Sequence, residues 1–167
     1  MADVCSFDIT STVDLQEVDN AVNQAKKEIA QRYDFKGSKA AIEFNRGENQ
    51  LDLVADDKFR MDAVWEVLQT RLVRRGVPVK NLTRGELVSA ANSTVRCTVA
   101  LQQGIPTEAA RNIVKYLKDK KLKKVQAAIQ GDQIRVSSPS RDELQTAMKA
   151  LREQDFGIEL QFGNYRG

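Results

Sequence analysis

The stretch from Lys121 to Glu143, KLKKVQAAIQGDQIRVSSPSRDE, admits few folds. It reads as a strand, a two-residue turn, a second strand and the cap of a helix. Gly131-Asp132 suits a type II′ turn, whose first central position needs a positive φ and so favours glycine. That turn sets the register: Val125 faces Ser138, Ala127 faces Val136 and Ile129 faces Ile134, so one face is almost wholly apolar. The other face carries Lys124, Gln126, Gln130, Gln133, Arg135 and Ser137. Side chains alternate with period two, so a slip of one residue would undo this separation. The expectation is a hairpin with one buried side and one polar, cationic side rich in amide donors.

The rest of the chain supplies elements around that hairpin. Phe7 and Ile9 alternate with polar neighbours in a short strand between Ser6 and Val13. Asp14 with Glu17 marks a helix start, and Leu15, Val18, Val22, Ala25 and Ile29 then recur at helical spacing to about Arg32. A second hairpin places Ala40, Ile42 and Phe44 against Ala55, Leu53 and Leu51 across a loop at 46–49, with Glu43 opposite Asp52. Two carboxylates across a ladder repel each other and would repel a phosphate. A helix from about Asp57 to Arg75 has Phe59, Ala63, Val67 and Leu68 as its predicted apolar side, and Gly76 and Pro78 end it.

Leu82, Leu87 and Val88 mark a weak strand, and Thr94 to Gln102 a clean alternating one. Pro106 opens a helix with Ala110, Ile113 and Leu117 inward. After the 121–138 hairpin, Ser140 with Glu143 forms a capping box for a helix lined by Leu144, Ala147, Met148 and Leu151. Ile158, Leu160 and Phe162 alternate as a closing strand. Both halves therefore read strand, helix, strand, strand, helix, and the second adds a strand. The predicted class is α+β: two ferredoxin-like β-α-β-β-α-β units with antiparallel sheets, at 14–93 and 94–167.

Several functions are excluded by what the chain lacks. With no histidine, no imidazole acid, base or metal ligand is available. Two cysteines, Cys5 and Cys97, far apart and without histidine, do not make a zinc site. No phosphate-binding or dinucleotide-binding glycine motif is present, nor any kinase or hydrolase signature. Acidic pairs such as Asp56-Asp57 and Asp142-Glu143 sit where helices begin, where capping and the helix dipole account for them. No residue therefore asks to be called catalytic, and no metal or cofactor is expected; the absences leave enzyme and binding protein both open. No apolar run approaches a membrane span and the N-terminus lacks a secretory pattern, so a cytoplasmic setting with Cys97 as a buried thiol is expected.

Charge localises the question. Residues 94–167 hold 13 Lys+Arg against 8 Asp+Glu, which would draw a phosphate-bearing ligand to this half. Lys115, Lys118, Lys120, Lys121, Lys123 and Lys124 are interrupted by a single acid, Asp119. This run reads either as a solvated helix C-terminus or as a phosphate-attracting rim beside the polar sheet face. Gln126, Gln130 and Arg135 would then add directional donors; as an ordinary solvated face they would do nothing. An RNA-binding sheet is the natural rival. Its usual form stacks bases on strand aromatics, and the strand QIRVSS has none.

The segments SFDITSTVD at 6–14, RYDFKG at 32–37, LQQGI at 101–105, the whole of 121–145 and LQFGNYR at 160–166 resemble the YajQ family of bacterial proteins. The resemblance implies two ferredoxin-like domains that exchange N-terminal strands, so that the strand within residues 1–13 would complete the second sheet. It implies nucleotide binding, with some members described as cyclic di-GMP effectors acting on transcription through a partner protein, and a proposed tie to RNA. No agreed set of binding residues comes with the family. The segment SSPSRDEL departs from a more basic form at the helix start, although Arg141 remains. On this reading Lys121, Lys123 and Lys124 capture the ligand, Gln126, Gln130 and Arg135 recognise it, and Arg32, Lys36 and Arg141 close the rim.

Overall fold

The computed structural model describes residues 4–122 and 124–167; Lys123 of the basic run lies outside them. In chain order the elements are β1 (Cys5–Thr10), α1 (Leu15–Gln31), β2 (Ala41–Asn45), β3 (Gln50–Ala55), α2 (Lys58–Arg74), β4 (Leu82–Arg84), β5 (Val88–Ala90), β6 (Thr94–Leu101), α3 (Thr107–Asp119), β7 (Gln126–Gln130), β8 (Gln133–Ser138), α4 (Arg141–Glu153) and β9 (Gln161–Arg166). They form two compact units. The first is Val13–Gln102; the second combines the chain up to Thr12 with Gln103–Gly167. Each has its own antiparallel sheet and two helices, the ferredoxin-like α+β arrangement.

In the first unit the strand order is β2-β3-β6-β4, with β5 also paired to β6. The predicted hairpin register holds, with Ile42 opposite Leu53, Phe44 opposite Leu51 and Glu43 opposite Asp52. Helix α1 begins because the Asp14 carboxylate accepts the backbone N–H groups of Gln16 and Glu17. Its buried stripe is Val18, Ala21, Val22, Ala25 and Ile29. On α2 the buried stripe is Met61, Val64, Val67, Leu68 and Leu72. The expectation for Phe59 fails, since this ring is 78% exposed. At about 100° per residue, Phe59 lies some 200° around the helix from Met61, on the opposite side from the core.

The second unit has the order β7-β8-β1-β9. Strand β1 pairs with β8 and with β9, although both lie more than 120 residues later in the chain. Its alternation explains why. Phe7 and Ile9 are fully buried and join Ile113, Ile134, Val136, Ala147 and Leu151 in one core, while Ser6 and Asp8 point to the other face. Likewise β6 is the central strand of the first unit, not the opening strand of the second as a boundary at residue 94 requires. It gives Cys97, Val99 and Leu101 to the first core.

The closing strand also differs from expectation. Gly157 donates its N–H to the Asp155 carboxylate in a turn, so β9 starts only at Gln161, while Ile158 is buried ahead of it. Among the described residues no helix is long and apolar enough to cross a membrane.

Because β1 supplies its apolar face to the second unit alone, Phe7→Ala is expected to cost that unit about 3–5 kcal/mol. Hydrogen exchange should show protection falling in β8 and β9 and persisting in β3 and β6. Equal loss in both units would contradict two separate cores.

Candidate functional site

The hairpin from Gln126 to Ser138 folds largely as its turn dictates. Gly131 has φ of 64°, and Ala127 faces Val136 while Ile129 faces Ile134. The buried side is narrower than expected, however. Ile134, Val136 and Ser138 on β8 are buried, but β7 is the edge strand, and Ile129 is 46% exposed. Gln126 and Gln130 are exposed too, at opposite ends of β7, Gln130 beside the turn and Gln126 opposite Ser137. Four residues of strand put them roughly 13 Å apart, so a small ligand does not meet both.

Arg135 is committed elsewhere. Its Nε donates to the Asp8 carboxylate at 3.0 Å, across the β8–β1 pair. From the other side, Asn164 Nδ2 donates to the second oxygen of Asp8 at 2.6 Å. This contact needs a β-bulge. Ser6 pairs with Arg166 and Asp8 with Gly163, so two residues of β9 oppose Phe7. Asn164 accommodates the extra residue with φ of 52°; asparagine tolerates this region better than most residues. Asp8 is thereby only 7% exposed on a face that is otherwise polar.

At the other end of this sheet several cations gather. Lys121 and Lys124 are exposed. The Lys124 backbone N–H donates to Glu143 Oε2 at 3.0 Å, which fastens the basic loop to the first turn of α4. The expected capping box is therefore only half formed: Ser140 Oγ accepts the Glu143 N–H, while the Ser140 N–H donates to Ser138 Oγ. Arg141 stands in the same turn and donates to the main-chain carbonyl of Gly167.

Arg32 and Lys36 belong to the first unit. The Arg32 guanidinium grips Asp34 at 3.0 and 2.7 Å and lies over the Phe35 ring, so it is already neutralised; Lys36 is exposed. Of the residues singled out in the sequence, Lys121, Lys124 and Arg141 share one end of the second unit, with Gln126 beside them.

A groove of about 990 Å³ opens at that end, between α4 and the ends of β1 and β9. Arg141, Lys149, Arg152 and Arg166 line it with Tyr165, over a floor that includes Phe7, Leu144 and Met148. Sequence reasoning reached only Arg141. A signal was present, because positions 141, 149 and 152 fall on one helical stripe at about 100° per residue. Tyr165 and Arg166 left no such trace, since their placement depends on the bulge.

The family described as "Nucleotide-binding protein YajQ-like" matches residues 5–166. The chain belongs to this family. Among its YajQ-like relatives, a "Nucleotide-binding protein" of Solibacter usitatus is 51% identical over 161 residues, covering 96% of both chains. One of Chloroherpeton thalassium is 45% identical over 166 residues, covering 99% of this chain and 100% of its own. One of Carboxydothermus hydrogenoformans is 49% identical with the same coverage. These names state binding and no reaction.

In this YajQ-like protein the hydrogen bond from Arg135, then that from Asn164, holds the Asp8 carboxyl below the usual carboxylate range. The resulting stability is complete above the unfolded value of about 3.9 and is lost as pH falls through the lower folded value. Asp8→Asn is therefore expected to lower Tm at pH 7 and to flatten the acid limb of a Tm–pH curve below about pH 4. A curve parallel to that of the unsubstituted protein would assign the acid limb to other groups.

Proposed function

We propose that this YajQ-like protein binds a cyclic dinucleotide and acts in the cytoplasm as a sensor or adaptor, through a protein partner that regulates transcription. The observation that carries the reading is the convergence of Lys121, Lys124 and Arg141 at one end of the second unit, where Arg166 joins them. Phosphates are captured by such clusters because exposed ammonium groups attract them and a guanidinium supplies paired donors. The family's printed name, nucleotide-binding, supports the same class of ligand. Arg135 takes a secondary place in the proposed recognition set, because its Nε is engaged by Asp8.

A second reading is an RNA-associated protein. It is favoured by two aromatic rings of the first unit, Tyr33 at 87% and Phe59 at 78% exposed, since bare aromatic faces stack single-stranded bases. Arg60, next to Phe59, donates to the carbonyl of Asp34, next to Tyr33.

Calorimetric titration with cyclic di-GMP, GTP, ATP and a short single-stranded RNA separates the two readings. The expected result is saturable binding of the cyclic dinucleotide at physiological salt, weakened roughly tenfold by Arg141→Ala and less by Lys124→Ala. RNA binding that falls steeply with salt, without dinucleotide binding, would establish the second reading in its place.

A further inference from the structure

We propose that the groove between α4 and the ends of β1 and β9 is the nucleoside pocket of this site, with Tyr165 as the face on which a base stacks; the inference rests on the nucleotide reading. Four observations converge. The volume of about 990 Å³ lies at the upper end of the range for small-molecule sites, about 300–1,000 Å³. The floor is apolar, with Phe7 fully buried beneath it and Met148 and Leu144 beside it, which suits a planar base and not a free anion.

Tyr165 is 62% exposed, yet it is directed into the groove, its hydroxyl 3.9 Å from Met148 Sδ. The bulge at Asn164 is what turns it there. With unbroken alternation after Phe162, residue 164 would share the helix side and residue 165 the open face. The extra residue reverses this: Asn164 and Tyr165 together lie across from Phe7, with Asn164 bonded to Asp8 on the open face and Tyr165 on the helix side.

The charge is the fourth observation. Arg141, Lys149, Arg152 and Arg166 line the groove against a single carboxylate, Asp142. Among the described residues none of the four is ion-paired to an Asp or Glu side chain. The Arg152 guanidinium lies over the Phe162 ring at 5.1 Å, a contact that holds its position without satisfying its N–H groups. Arg166 also interacts with the Asp8 carboxylate and Arg141 donates to Gly167, yet the groove stays strongly cationic. Such a lining beside an apolar floor and an exposed ring fits a ligand that is aromatic at one part and anionic at another. Phosphates would then sit at Arg141 and Arg166, continuous with the basic rim, and the base would run inward over Tyr165 toward Lys149.

The test is titration of the full chain with cyclic di-GMP, GTP and inorganic pyrophosphate, for the unsubstituted protein and for Tyr165→Ala, Tyr165→Phe and Lys149→Gln. Tyr165 is exposed, so its substitution leaves the core intact, which unchanged circular dichroism and Tm would verify. Tyr165→Ala is expected to weaken nucleotide binding roughly tenfold or more, the usual consequence of losing a stacking partner, and to leave pyrophosphate binding unchanged. Tyr165→Phe should bind as the unsubstituted protein does, and Lys149→Gln should weaken the nucleotide. Nucleotide binding that is indifferent to Tyr165→Ala and Lys149→Gln would overturn the pocket while leaving the nucleotide reading in place. Absence of nucleotide binding by the unsubstituted protein would overturn both.

Discussion

Asp8 is a nearly buried carboxylate on an inner strand of the second sheet, bonded by Arg135 from one neighbouring strand and by Asn164 from the other. A buried charge left unpaired is costly, so the arrangement is tolerable only when β1 sits between β8 and β9 in this register. A shift of one residue would bring Asp8 to the core face and Phe7 to the polar one. Such pairs are weak evidence of net stability, since replacement by apolar residues is often neutral or better. Their effect here is to discriminate among registers. The partners lie 127 and 156 residues away in sequence, so this interaction also ties the beginning of the chain to the second unit.

The same constraint divides labour across the sheet. With Arg135 neutralised, the polar face in front of Asp8 loses its most directional cation. The bulge that lets Asn164 reach Asp8 also turns Tyr165 to the helix side. One inserted residue thus serves both the register of β1 and the shape of the groove beside α4. The Lys124–Glu143 contact performs a comparable join, giving up half of a capping box to hold a basic loop against the helix turn that carries Arg141.

Legibility in the sequence followed the range of the forces involved. Gly131-Asp132 announced its hairpin because turn chemistry is settled within four residues. Asp14, Asp57 and Ser140 announced helix starts because a cap bonds residues two or three positions on. Phe59 misled because hydrophobicity alone does not say which way a residue in the first helical turn points; its angular distance from the Met61 stripe does. The closing strand misled because Ile158 and Leu160 alternate convincingly, while the Asp155–Gly157 turn delays the ladder until Gln161. In the candidate site, Lys121 and Lys124 were legible as a basic run and Arg141 as charge at a helix start, and Lys149 and Arg152 were legible in principle from helical spacing.

What the sequence determined by itself was therefore the inventory: the helices and their caps, the hairpin registers, two ferredoxin-like sets of elements, and a cationic second half without imidazole chemistry. Tertiary structure alone decided which sheet each strand joined. β1 and β6 carry the same alternating signal, and only complementary burial against strands distant in sequence assigns β1 to the second core and β6 to the first. It also decided that Arg135 would bond to Asp8, and that Tyr165 would face α4. Each of these outcomes rests on a contact between residues far apart in the chain, and local periodicity holds no information about such partners.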